Sequence, residues 1–297
     1  MASTTPHLRH STAEADLELV RRAQKADAAD HALGIREALG KYKAAVAWSL
    51  FLSLALVMDG YGVVVVRQYM FSLTQIGSFY GQTQFKNRFG DIVDNTGQKA
   101  ISSKWQSGLS NSSLCGQILG LAVVGWAQDR FGNRPTMMFF FAWMAAAIFL
   151  PVFAPNLPVL AVGEVFMGIS WGSFQTATTA YASECVPTVL RPYVTAWVCM
   201  CWGLGITISS AVVRAVADIR SDWGWRLPFT LQWVWPVPLF IGVYFAPESP
   251  WNAVRRGKME QALTSLRRLG ARTEDESDFK AKLAYIQHTT NEEALET

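Results

Sequence analysis

The sequence predicts an all-α membrane protein built on six transmembrane helices. Two observations carry that expectation. Of 297 residues, 51% are hydrophobic and only 16% charged, against roughly 25% charged in a soluble domain. The apolar residues are also gathered into long runs. A bilayer core of ~30 Å takes about 20 apolar residues at ~1.5 Å rise each, and six runs of about that length follow one another along the chain. One such run is compatible with a buried helix of a soluble protein, but six in series separated by short polar stretches are the pattern of a multi-pass membrane chain. The same composition excludes a disordered chain and a collagen-like repeat. A net charge of +3 is too small to argue for nucleic acid as a partner.

The elements are justified in chain order. Residues 1–43 form a polar tail rich in Ala, Glu, Lys and Arg, expected as water-exposed cytoplasmic helix. The first span is placed at 44–66, where Asp59 is the one acid. The second, at 109–127, is uncharged but weaker, and the third, at 136–154, is uncharged. The fourth, at 159–180, carries Glu164 alone, and the fifth and sixth, at 194–213 and 227–246, carry no charge. Together 44–250 make one six-helix bundle, and 251–297 a second polar, helical tail or linker. The first run is too long for a cleaved leader, and about forty polar residues precede it.

Charge sets the expected orientation. Arg130 and Arg134 lie between the second and third spans, Arg191 between the fourth and fifth, and Arg255, Arg256 and Lys258 after the sixth. The connection Pro155–Pro158 has no charge. Basic connections face the cytoplasm, which puts both termini there. No cysteine-spaced metal site, phosphate-binding glycine loop or Ser-His-Asp set occurs near a span, and all four His residues lie in the tails. An enzyme, a metal and a bound cofactor are therefore not expected.

Three motifs carry more. Gly125-Trp-Ala-Gln-Asp129-Arg130-Phe-Gly132-Asn133-Arg134 lies between spans two and three. It resembles the loop signature of the major facilitator superfamily, G-x-x-x-D-R-x-G-R/N-R/K. Gly125 would let a neighbouring helix approach closely. Asp129 would face the positive end of a partner helix, and Arg130 and Arg134 would pair with acids. Tyr181-Ala-Ser183-Glu184-Cys-Val-Pro187 with Arg191, and Pro247-Glu248-Ser249-Pro250, resemble elements of the sugar-porter branch. The resemblance implies a cytoplasmic gate of Gly125, Asp129, Arg130, Arg134, Glu184, Arg191, Glu248 and Arg255. A plainer reading makes Pro187 and Pro192 helix stops and the charges solvated ends.

Trp105-Gln-Ser-Gly-Leu109, Gly163-Glu164, Gly168-Ile-Ser-Trp-Gly172 and Leu227–Pro236 are similar to the fungal maltose and general α-glucoside permeases. Those relatives are twelve-helix proton symporters, so the resemblance implies the N-terminal bundle of a major facilitator fold, with the second bundle absent. It implies a small-molecule substrate, a sugar such as maltose, a lipid bilayer, and the proton as coupling ion. It also implies the plasma membrane, and a homo-oligomer or a pairing with another half-transporter.

The pattern breaks in places. Met58-Asp59-Gly60-Tyr61-Gly62 keeps one acid of the family's pair, and Gly62 replaces the other. Gln117 stands where many relatives carry a carboxylate. Val63–Gln75 fits no family element, which suggests a retained intron or misplaced splice boundary. Ionisable groups inside a membrane are functional candidates by default, which singles out Asp59 and Glu164. Glu164, near the outer start of its span, could simply reach interfacial water. Gln117, Gln175 and Trp202 are candidates for lining a cavity, with helix-helix adhesion the competing account. Two other outcomes stay open: a truncated remnant without transport of its own, and transport of a fungal secondary metabolite.

Overall fold

The computed structural model describes residues 34–71, 80–93, 97, 99–216, 219, 221–270 and 275–296, with Glu18, Arg21 and Ala28. Most of the polar tail 1–33, and Ser72–Gln75 of the surplus segment, lie outside the described residues. The helices are α1 Ile35–Lys41, α2 Lys43–Ser53, α3 Ala55–Phe71, α4 Tyr80–Phe89, α5 Ser103–Phe131, α6 Asn133–Ala147 and α7 Phe149–Val152. They continue as α8 Leu157–Cys185, α9 Arg191–Val216, α10 Trp223–Leu231, α11 Pro236–Phe245, α12 Pro250–Arg255, α13 Met259–Leu269 and α14 Glu276–Glu296. Among the described residues, five stretches are long and apolar enough to cross a membrane: Lys43–Val63, Asn133–Val152, Leu157–Cys185, Arg191–Val216 and Trp223–Phe245. The helix of the weaker second run, α5, has ample length at 29 residues. Its Ser- and Asn-rich first half dilutes its hydropathy.

Several runs are not single rods. The first passes from α2 to α3 through Leu54. The third breaks at Ile148. The sixth is interrupted by a 3-10 turn, Gln232–Val234, before Pro236 opens α11. Proline lacks an N–H and fixes its own backbone angle, so Pro236 and Pro238 break the regular ladder, while α10 continues through Pro228. The surplus residues Val63–Phe71 continue α3 as helix.

α5 and α8 pack backbone to backbone along their middles. A Cβ on Gly116 would sit 2.2 Å from the Val165 carbonyl oxygen, and one on Gly172 2.2 Å from that of Gln117. Gly120 and Gly168 are crowded in the same way. Each helix thus presents two glycines four apart, the small-residue spacing that lets membrane helices close on one another. The aromatic core fills beside this seam, with Phe141 stacked on Phe174 at 4.5 Å and Trp171 fully buried. At one end of the bundle a short antiparallel pair, Ile92–Val93 with Lys99–Ala100, follows α4. Phe85 and Phe89 pack on Trp225 at 5.9 and 5.2 Å, tying this segment to α10. At the other end α12, α13 and α14 enclose a separate small core of Ala253, Val254, Ala262 and Ile286.

Candidate functional site

Two polar constellations stand out, one inside the bundle and one at its charged end. Inside, α3 brings Asp59 between α5 and α8. Asp59 is fully buried. Gln175 Nε2 donates to its Oδ2 at 2.8 Å, and Gln117 Nε2 approaches Oδ1 at 3.4 Å. Three of the sequence candidates thus meet at one carboxylate, although 58 and 116 residues separate the glutamines from it. Two amide donors satisfy a buried carboxylate at both oxygens without a countercharge.

Gly62 has a packing reason. A Cβ there would lie 2.1 Å from the indole of Trp171. An acid at this position needs the Trp171 ring to move. Trp202 is not part of the cluster. The residue is 41% exposed, and its backbone carbonyl is what crowds Gly60. Glu164 corrects an expectation: it does not reach interfacial water. It is fully buried, and both carboxyl oxygens have no hydrogen-bond partner among the described residues.

At the charged end, the connection expected over Gln128–Pro135 shrinks to one residue. α5 runs to Phe131 and α6 starts at Asn133, so Asp129 and Arg130 ride the last turn of one helix and Arg134 the first turn of the next. Gly132 makes the corner at φ 100° and ψ 167°, a region that side chains disfavour. A Cβ there would also strike the Arg256 guanidinium at 2.3 Å.

The start of α6 is held by Glu248. Its Oε1 accepts from the backbone N–H of Asn133 at 2.7 Å, and both oxygens lie 3.3 Å from the Arg134 nitrogen. The free N–H groups and dipole of a helix start favour a carboxylate there. Burial pushes the Glu248 carboxyl above the ordinary carboxylate range, although these N–H groups and the Arg256 charge oppose it. Two expectations are reversed here. Glu248, not Asp129, faces the positive helix end, and Asp129 is exposed. Gly125 makes no close helix approach, for a Cβ there meets nothing within 4 Å. The tight glycines lie on the α5 face toward α8, and Gly125 falls outside that register.

The basic residues also differ from expectation. Arg134 donates to the Tyr244 carbonyl and lies 5.2 Å over the Tyr244 ring, with no acid on its guanidinium among the described residues. Arg130 stacks on Trp126 at 5.8 Å. Arg255 does pair with acids, at 3.5 Å from Glu184 and 3.6 Å from Glu293. Glu184 also accepts from the Ser249 hydroxyl. Arg191 has a buried Nε with no hydrogen-bond partner among the described residues.

Sequence reasoning missed Asn133, Ser249, Asn252 and Arg256 as parts of this lattice. Ser249 followed by Pro250 is a readable helix start. Its hydroxyl accepts from Asn252 N at 3.3 Å, and Asn252 reaches back to the Gln128 carbonyl at 3.2 Å. The ends of α5 and α8 are therefore bolted to α12, and the start of α6 to Glu248 just before it.

A bundle of membrane-length helices, with two buried carboxylates inside and a lattice of charges across the helix ends, is the construction of a multi-pass membrane transporter. The profile of the sugar (and other) transporter family matches residues 63–297. The chain belongs to that family and is an integral membrane protein. It is 37% identical over 253 residues to a maltose permease of Saccharomyces cerevisiae, which covers 84% of this chain and 40% of the relative. It is 35% identical over 277 residues to the general alpha-glucoside permease of the same yeast, covering 92% and 43%. Among solved structures it resembles a major facilitator superfamily proton:xylose symporter bound to 6-bromo-6-deoxy-D-glucose. The TM-score there is 0.69 at 19% identity, over 84% of this chain and 54% of the other. An inward-open xylose transporter from E. coli gives a TM-score of 0.64 at 18% identity, over 83% and 56%. The fold is a major facilitator bundle, and the chain spans well under half the length of the curated relatives it matches.

Proposed function

We propose that the chain serves in proton-coupled uptake of an α-glucoside such as maltose across the plasma membrane. Its charged end and both termini are cytoplasmic. The bundle acts together with a second bundle that faces it across the substrate path. The observation that carries the reading is the Asp59 cluster. A buried carboxylate flanked by two carboxamides offers acceptors and donors of the kind that sugar hydroxyls need. In this reading Asp59 takes the proton as well, since Gly62 and Gln117 have no charge to offer. The charged lattice around Glu184, Glu248 and Arg255 holds the cytoplasmic ends of α5, α6 and α8 together, and loosens when that side opens.

The test is uptake of labelled maltose into proteoliposomes, with and without an inward proton gradient, by the chain and by Asp59→Asn. Gradient-driven uptake that the variant loses supports the reading. Uptake that ignores the gradient removes the proton from it. No uptake in either condition rejects it.

A further inference from the structure

At the charged end, beside the lattice around Glu184, lies a cavity of about 340 Å³. It forms where the connection between α8 and α9 meets α13, α14 and the start of α2. Its walls include Tyr42, Trp251 and Tyr285, and its cations are Arg191 and Lys282. Lys282 donates to the Tyr42 hydroxyl at 3.0 Å, which fixes the ammonium in the wall. The Arg191 Nε is buried without a hydrogen-bond partner among the described residues. Glu184 also lines the cavity, but its carboxylate is already taken by Ser249 and Arg255.

A buried guanidinium N–H without an acceptor is an unfavourable arrangement that an anion would relieve. Arginine recognises phosphate oxygens through paired N–H groups, and a second cation strengthens the match. The aromatic walls suit a ring or other apolar body attached to that anion. The volume is that of a small-molecule site. We infer that this cavity is a second binding site, for an organic anion carrying a phosphate group. Arg191 and Lys282 hold the phosphate, and Tyr42, Trp251 and Tyr285 hold the body. Occupation would brace the α8–α9 connection against α13 and α14.

The test is binding to the purified chain in phosphatidylcholine nanodiscs, without sugar or proton gradient, so a failed transport reading leaves it intact. The soluble probes are AMP and inorganic phosphate. The lipid probe is the same nanodisc doped with phosphatidylinositol 4-phosphate, read as a shift in thermal stability. AMP binding that falls at least about tenfold in Arg191→Gln and Lys282→Gln supports a free phosphate compound. A stabilisation by the doped lipid that Arg191→Gln abolishes supports a lipid headgroup on the same cations. If Arg191→Gln does not elute as folded protein, Lys282→Gln and the cavity-filling Thr188→Phe decide in its place. No response to any probe, or undiminished binding in the folded variants, overturns the inference.

Discussion

Replacing Gly172 by Ala probes the seam on which the candidate site is built. The added Cβ would stand 2.2 Å from the Gln117 carbonyl oxygen, where ordinary contact begins at 3.4 Å. The obstacle is backbone, so α5 and α8 must separate by about 1 Å to admit one methyl group. Overpacking of this kind costs about 1–3 kcal/mol. The displaced residue is Gln117 itself, whose amide already reaches Asp59 at the long distance of 3.4 Å. A shift of that size takes it out of hydrogen-bonding range. Gly125→Ala is the matched control on the same pair of helices. Its Cβ meets nothing within 4 Å, and Ala in place of Gly inside a helix gains about 0.5–1 kcal/mol. Thermal unfolding of both variants in detergent is the assay. The melting temperature should fall by several degrees for Gly172→Ala and hold or rise for Gly125→Ala. Equal melting temperatures, or the reverse order, would refute the close α5–α8 seam.

Three further outcomes follow from the same contacts. Gly62→Asp should destabilise the chain by about 1–3 kcal/mol, because its Cβ meets the Trp171 ring at 2.1 Å; combining it with Trp171→Ala should recover part of that loss, and an undisturbed melt for the single variant would contradict the packing. Glu248 ties folding to pH. Burial raises its carboxyl above the usual range, so the folded chain holds this proton more tightly than the unfolded one. Its stabilising share is fully present below the ordinary carboxylate pKa and is lost as pH rises through the raised value. The stability of the natural chain minus that of Glu248→Gln should therefore grow on acidification, and a flat or opposite trend would remove burial as the dominant cause. Arg255→Ala should change stability by no more than about 1 kcal/mol, since its side chain is 42% exposed in both ion pairs; a loss of several kcal/mol would show the lattice acting as a cooperative unit.

Much of the fold was legible because hydrophobic length is a one-dimensional property. A helix that crosses a bilayer must satisfy its own backbone, so it announces itself as an unbroken apolar run. The spacing of Gly125, Asp129, Arg130, Gly132 and Arg134 likewise marked the corner between two helices. Assigning partners at that corner failed, because it depends on which chain end arrives there. Glu248 comes from 115 residues away to cap Asn133, and nothing near Asp129 in sequence reveals that it loses the position. The prolines of the sixth span and the spacing of Gly116 and Gly120 with Gly168 and Gly172 were both readable signals that went unread.

The sequence by itself determined that this chain is a multi-pass helical membrane protein, and its motifs placed it among the sugar transporters. It also marked Asp59 and Glu164 as acids that a membrane interior does not hold without cause. Only the tertiary structure decided their different situations. Asp59 receives two amide donors from α5 and α8, while Glu164 is enclosed with no partner among the described residues. The physical reason is that burial follows from local apolar length, but hydrogen-bond partnership depends on the register between helices distant in the chain. Here that register is set by glycines that let two backbones touch.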